Sequence, residues 1–203
     1  MRRTKQEAAE TREAIINAAE QAFLKHGVSR TSLNDIAKLA NVTRGAIYFH
    51  FKDKSTIFQE MLKRIRFPEE DLIIEAEKTD SINPIDILEK SCCTCLERFE
   101  EDIRQQRIIL ILSKRCEFIG DIAEIGERLQ KAHKNMLDLF TRILKMAERR
   151  HMLSSNWTPQ NGAYITISLI RGLMLEWLDS ENAYSLSHVG TQAIHTLFAS
   201  MKK

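Results

Sequence analysis

The chain is poor in residues that interrupt helices, with 7 Gly and 3 Pro in 203 positions. That scarcity, beside plentiful Ala, Leu, Ile, Glu and Lys, excludes a turn-rich β protein and predicts an all-α fold. Long hydrophobic runs are also missing. The apolar stretch at residues 108–112 is far too short to span a bilayer, and the charged N-terminal MRRTKQEAAETRE has no apolar segment after it. The expectation is therefore a cytoplasmic protein with no membrane partner. The sequence contains no Gly-rich phosphate loop, no Ser/Cys/His catalytic set and no paired Cys/His cluster, so no enzyme activity, cofactor or metal is expected. Internal repeats and low-complexity segments are absent as well. Net charge is only +2, which by itself says little about partners.

The distribution of that charge says more. Residues 1–66 carry 13 Lys/Arg against 7 Asp/Glu, a net of +6, and the remainder carries 17 against 21, a net of −4. A basic N-terminal part on an acidic remainder is the asymmetry expected when only one end meets nucleic acid. Within the basic part, residues 31–51, TSLNDIAKLANVTRGAIYFHF, read as two short helices joined by a tight turn. Thr31 or Ser32 caps the first, with Asp35 as the acidic partner of a capping box, and Leu33, Ile36, Ala37 and Ala40 share one face. Asn41 stands where a left-handed backbone is needed, which Asn tolerates better than most residues with a Cβ. Thr43 caps the second helix. Arg44, Gly45 and Ala46 form its first turn, placing a cation and two nearly bare backbone positions where a duplex would approach. Ile47 and Phe51 hold it to the core. Tyr48, Phe49 and His50 complete an aromatic cluster on it. This is the pattern of a helix-turn-helix presenting its second helix to the DNA major groove.

The run 11–54, TREAIINAAEQAFLKHGVSRTSLNDIAKLANVTRGAIYFHFKDK, resembles the N-terminal DNA-binding domain of TetR-family transcriptional repressors. More weakly, KRCEFIG at 114–120 and RGLMLEWL at 171–178 resemble AcrR-type regulators of multidrug efflux pumps. Two departures stand out: Asn41 where that family commonly has Gly, and Phe49 where it commonly has Trp or Tyr and where no polar phosphate contact is possible. The candidate DNA contacts are Ser32, Thr43, Arg44, Gly45, Ala46, Tyr48, Phe49, His50 and Lys54, with Arg44 the expected base reader and Lys54 placed for a phosphate. Arg2, Arg3 and Lys5 form a candidate N-terminal arm. The resemblance implies a ligand pocket in the C-terminal bundle and places Leu88, Cys92, Cys95, Ile109, Ser113, Met136, Phe140, Ile167 and Arg171 near it, with Phe67 near the connecting helix. Such an apolar wall with a few polar groups suits small amphipathic or aromatic ligands. Binding there would spread the two N-terminal domains of a dimer and release the operator.

The expected division is a helix-turn-helix domain, 1–53, and a helical ligand-binding and dimerisation bundle, 54–203, with about nine helices in all. A support helix spans about 11–26, stopped by Gly27. Asp53 caps the next, whose stripe Ile57, Phe58, Met61, Leu62 and Ile65 runs until Pro68. Asn83-Pro84 opens a further helix, followed by helices at about 106–117, 121–150, 158–179 and from 187 to the end. The last two are apolar on more than one face. Ala163, Ile167, Ile170, Met174 and Trp177 form one stripe of the first, and Ile165, Leu169, Gly172 and Leu173 another; the final helix adds a broad arc that includes Leu197 and Phe198. The outer residues, Ile165, Leu169, Gly172, Leu173, Leu197 and Phe198, are expected to meet a second copy in a four-helix homodimer interface. An alternative use of the bundle rests on Cys92 and Cys95, whose spacing suits a thiol-based redox or soft-metal sensor.

Overall fold

The computed structural model describes residues 5–65 and 83–203, and among these it contains nine α-helices. They are α1 (Lys5–His26), α2 (Leu33–Leu39), α3 (Arg44–His50), α4 (Lys54–Leu62), α5 (Pro84–Glu101), α6 (Ile103–Lys114), α7 (Ala123–Arg149), α8 (Pro159–Asp179) and α9 (Leu186–Met201). A short 3-10 turn, Gly120–Ile122, leads into α7. No strand occurs among the described residues, and the all-α reading holds.

Helix boundaries follow local chemistry. The side chains of Ser32, Thr43, Asp53, Asn83, Thr158 and Ser185 each accept a backbone N–H at the start of the helix they precede. Gly27 ends α1 at φ +83°. α1 starts earlier than expected, at Lys5 rather than about residue 11, because QEAAETRE is a strong helix-forming run whose Gln6 donates to Glu10 one turn on. α4 ends earlier, at Leu62, where Arg64 and Ile65 turn back on the carbonyls of Met61 and Leu62. Pro68, the expected stop, lies outside the described residues, as do Arg2 and Arg3 of the candidate arm.

Two compact units emerge, Met1–Arg66 with Arg104–Arg128, and Phe67–Ile103 with Leu129–Lys203. Compactness thus groups residues differently from the expected division at 53/54: α4 and most of α6 join the helix-turn-helix. The first unit closes on Ile15, Ala19, Phe23, Ile36, Ile47, Phe51, Ile57 and Phe58, all fully or nearly fully buried. Each large side chain buried in this way stabilises by about 1.5–3 kcal/mol. Phe23 and Phe58 meet edge to face at 5.6 Å.

In the second unit α9 packs along α5 and α8. Phe99 of α5 meets Trp177 of α8 edge to face at 6.0 Å, and Trp177 donates its indole N–H to the Tyr184 carbonyl. Glu100 accepts the N–H groups of Leu186 and Ser187, closing the start of α9 from α5. The helices approach closely at Gly190, where an added Cβ would lie 2.4 Å from Leu96 Cδ1. Leu96 is fully buried, so its methyl has little room to yield. Gly190→Ala is expected to lower the urea midpoint by an amount equivalent to about 1–3 kcal/mol with an unchanged m-value.

Candidate nucleic-acid interface

The candidate reading head is assembled by local rules. Ser32 and Asp35 form a complete capping box: the Ser32 hydroxyl accepts from Asp35 N, and the Asp35 carboxylate accepts from Ser32 N at 2.9 Å. The neighbouring candidate, Thr31, is buried and donates its hydroxyl to the Gly27 carbonyl at 2.7 Å, tying the turn to the end of α1. Asn41 adopts φ +53°, the left-handed conformation its side chain suits. Thr43 then caps α3 by accepting from Ala46 N at 3.1 Å.

α3 presents two faces. Ile47 is buried, and Phe51, just past the helix, is buried with the Arg12 guanidinium 5.0 Å above its ring. Outward lie Arg44, Gly45, Tyr48 and Phe49, with His50 half-buried. Arg44 Nη2 donates to the Tyr48 hydroxyl at 3.0 Å and its guanidinium sits over the Tyr48 ring, so cation and phenol form one pre-arranged unit. Gly45 is exposed, and a Cβ there would meet nothing nearer than Thr43 Oγ1 at 3.7 Å. Among the described residues nothing requires glycine at that position, although glycine within a helix costs about 0.5–1 kcal/mol relative to alanine.

Lys54 is engaged within the chain. Its ammonium donates to the carbonyls of Val28 at 2.8 Å, Thr31 at 3.0 Å and, more weakly, Ser29 at 3.5 Å. Its two shorter bonds make it a clamp on the turn between α1 and α2.

The residues proposed for a ligand pocket are distributed unevenly. Leu88, Cys92, Phe140 and Ile167 are buried, Cys95, Ile109 and Met136 half-buried, and Ser113 and Arg171 exposed. Ile109 and Ser113 belong to the first compact unit and the others to the second. Ser113 donates its hydroxyl to the Ile109 carbonyl of its own helix at 2.8 Å, which leaves its oxygen able only to accept. Phe67 lies outside the described residues. The cysteines carry no disulfide. Burial pushes the Cys92 thiol well above its ordinary value, raises Cys95 and Cys93, and takes Cys116 up to about 11. Thiols held protonated are poor nucleophiles and poor metal ligands, so nothing in this arrangement supports the sensor reading. Among the described residues no group of three or more His, Cys, Asp or Glu is placed to hold a metal ion.

On α8 the inner stripe of Ala163, Ile167, Met174 and Trp177 is buried, while Ile165 is 44% exposed, Tyr164 56%, and Gly172 open with no atom within 4 Å of an added Cβ. Leu169, Leu173 and Leu197 are half-buried. Phe198 corrects the expected interface: it is fully buried within its own chain, on the inner face of α9 with Leu186, Ile194 and Met201.

With this geometry in view, the comparisons with known proteins are direct. A sequence profile described as bacterial regulatory proteins of the tetR family matches residues 15–61, and one described as the C-terminal region of MAATS-type transcriptional repressors matches residues 83–202. The chain belongs to the TetR family. It is 46% identical over 202 residues to the HTH-type transcriptional repressor BepR of Brucella suis, covering 100% of this chain and 97% of that one. Its fold is similar to the crystal structure of NalD, the secondary repressor of the MexAB-OprM multidrug efflux pump in Pseudomonas aeruginosa, with a TM-score of 0.85 at 33% identity over 98% of this chain and 99% of that one. It is also similar to the SmeT–triclosan complex, with a TM-score of 0.75 at 27% identity over 96% and 92% of the two chains. The relatives are transcriptional regulators. Among the described residues no helix is long and apolar enough to cross a membrane.

In this TetR-family chain, sequence reasoning missed a polar network within the first compact unit. Glu20, buried on α1, is bridged by Arg64 and by Arg107 of α6, each at 3.3 Å, and Arg64 also bonds Asn17 and Glu13. The available signal was a carboxylate set one turn from Ile16, among the buried positions of α1.

Lys54→Met, which keeps the stem but removes all three donors, is expected to cost about 1–3 kcal/mol in equilibrium unfolding. A phosphate contact would instead appear as a reduced salt slope of DNA binding with unchanged stability. The Asp53 carboxyl is held below its ordinary value by the N–H and hydroxyl of Thr56. Its contribution is therefore present above the unfolded value and is lost as pH falls through the lower folded one. Asp53→Asn keeps a capping oxygen without the titration, so stability below about pH 4 is expected to fall less steeply than in the parent.

Proposed function

We propose that this TetR-family chain is a dimeric, cytoplasmic repressor of a multidrug efflux system, released from its operator by a small amphipathic or aromatic ligand. The observation that carries the DNA reading is the outward face of α3, where Arg44, Gly45, Tyr48 and Phe49 contribute nothing to the interior and gather a paired cation, a bare backbone and two aromatic rings. Residues 1–53 read DNA, and residues 54–203 hold ligand and partner copy. Thr43, Ala46 and His50 lie beside the contacting face, and Ser32 sets the entry of α2. No catalytic step is proposed.

Dimerisation is supported by the outer stripe of α8. Tyr164 and Ile165 are exposed large apolar side chains, and Gly172 leaves room for a second helix backbone to approach. A two-fold pair of reading helices would enter successive major grooves roughly 34–36 Å apart and so require a near-palindromic site. Efflux control is supported by what NalD represses, and ligand release by the triclosan held by SmeT. A ligand that favours a spread dimer must oppose DNA by the same coupling free energy with which DNA opposes it. The buried Leu88, Cys92, Phe140 and Ile167, with Met136, offer the apolar side chains for such a ligand.

Fluorescence anisotropy on the DNA upstream of the chain's own gene, at several salt concentrations and then with triclosan and a panel of planar aromatic cations, tests this reading. Sequence-selective binding with a steep salt slope, reversed by at least one compound, is expected; absence of binding at low salt defeats it. Arg44→Ala is expected to weaken binding by about 1–3 kcal/mol. Gly45→Ala is expected to raise stability by about 0.5–1 kcal/mol while weakening DNA binding. Ile165→Glu, which places a charge at the outer face of α8, is expected to sediment as a folded monomer at micromolar concentration.

A further inference from the structure

Phe49 is 79% exposed, more than any other large apolar side chain among the described residues. Its ring meets His50 edge to face, with centroids 5.0 Å apart and planes at 88°, a contact that orients the ring while leaving much of it open. Gly45, one turn earlier on the same side of α3, has no side chain to shield it. Its charged neighbour is already engaged, since Arg44 bonds the Tyr48 hydroxyl and lies over that ring. The reading face therefore carries an oriented, wholly apolar ring beside a bare backbone position.

A phenyl ring can neither donate to nor accept from a phosphate, so a positioning contact of the usual polar kind is closed to it. The edges of base pairs in the major groove are rows of hydrogen-bonding groups with one apolar exception, the C5-methyl group of thymine. We propose that Phe49 is a specificity-determining residue that reads a thymine methyl in each half of the operator. The inference rests on the reading that α3 enters the major groove, and it assigns Phe49 a role separate from that of Arg44: Arg44 contributes a charged, salt-sensitive contact, Phe49 an apolar and salt-insensitive one.

The test is anisotropy with the full-length protein on its upstream DNA, in which each thymine is replaced in turn by deoxyuridine, symmetrically in both half-sites. Deoxyuridine removes only the methyl. At one symmetric pair of positions the parent protein is expected to bind about 16-fold more weakly, roughly fourfold per methyl lost. Phe49→Ala is expected to bind the thymine duplex with a comparable loss, to be indifferent to deoxyuridine at that pair, and to keep the parental salt slope. Phe49→Leu, still apolar, is expected to recover part of the discrimination. Thermal midpoints unchanged from the parent would show both variants folded, as the exposure of Phe49 leads one to expect.

Three results overturn the inference: Phe49→Ala binding as tightly as the parent, Phe49→Ala keeping the parent's full response to every deoxyuridine, or Phe49→Ala losing its affinity through a reduced salt slope. Arg44→Ala in the same assay separates the two layers of the argument. If it weakens binding while no thymine depends on Phe49, the role of Phe49 fails and the placement of α3 stands. If Arg44→Ala binds as the parent does, the placement of α3 fails and the role of Phe49 with it.

Discussion

A seven-residue helix cannot hold itself together in water, since isolated helices shorter than about 12–15 residues are marginal even with favourable sequences, and α3 has only seven residues. Its order comes from elsewhere: the Thr43 cap, the burial of Ile47 and Phe51, and the left-handed Asn41 that sets the angle from α2. The inner face of α3 folds the domain, and the outer face is left free of structural duty. That separation leaves Arg44, Tyr48 and Phe49 available for the proposed contact with DNA. A reader built on a longer, self-sufficient helix would not depend so closely on its neighbours.

The neighbours are fixed by directional bonds as well as by apolar packing. Lys54, in the first turn of α4, holds the carbonyls of the α1–α2 turn. Glu20 on α1 joins Arg64, which follows α4, to Arg107 on α6, and Val28 N donates to the Arg115 carbonyl just beyond α6 at 2.9 Å. A buried carboxylate is costly unless it is fully paired, so removing either arginine leaves Glu20 poorly compensated. Within the first compact unit, α6 therefore cannot slide along α1 without stretching these bridges. An apolar contact alone would tolerate a small slip, whereas charge-assisted bonds are sensitive to fractions of an ångström.

What could be read from the sequence divides along the same line. The caps at Ser32, Thr43, Asp53, Asn83 and Thr158, the turn at Asn41 and the double-faced α8 were legible, because each is settled by residues within one or two helical turns. The clamp made by Lys54 was overlooked because its partners lie 23–26 residues earlier in the chain. Glu20 was overlooked because Arg64 and Arg107 are 44 and 87 residues away. Phe198 was assigned to the outer arc of α9 because periodicity shows that a helix has two apolar faces without showing which of them meets its own core. The bond by which Ser113 donates to the preceding turn was not foreseen, because a hydroxyl on a helix looks free until that bond is seen.

Two open glycines within α-helices, Gly45 and Gly172, carry this reasoning to function. Gly190 and Gly162 are enforced from inside, where a Cβ would meet buried leucine methyls at 2.4 and 2.8 Å. Gly45 and Gly172 are not: one meets only the Thr43 hydroxyl at 3.7 Å and the other meets nothing. A glycine within an exposed helix surface forfeits helix propensity without improving the fold, so its use must be sought outside the chain. Gly45 lies on the face with Arg44 and Phe49, and Gly172 lies with Ile165 on the outer face of α8. The two helical positions where alanine is expected to stabilise the protomer are thus those where DNA and a second copy are proposed to approach, and the first of them is the bare position that leaves the ring of Phe49 uncovered.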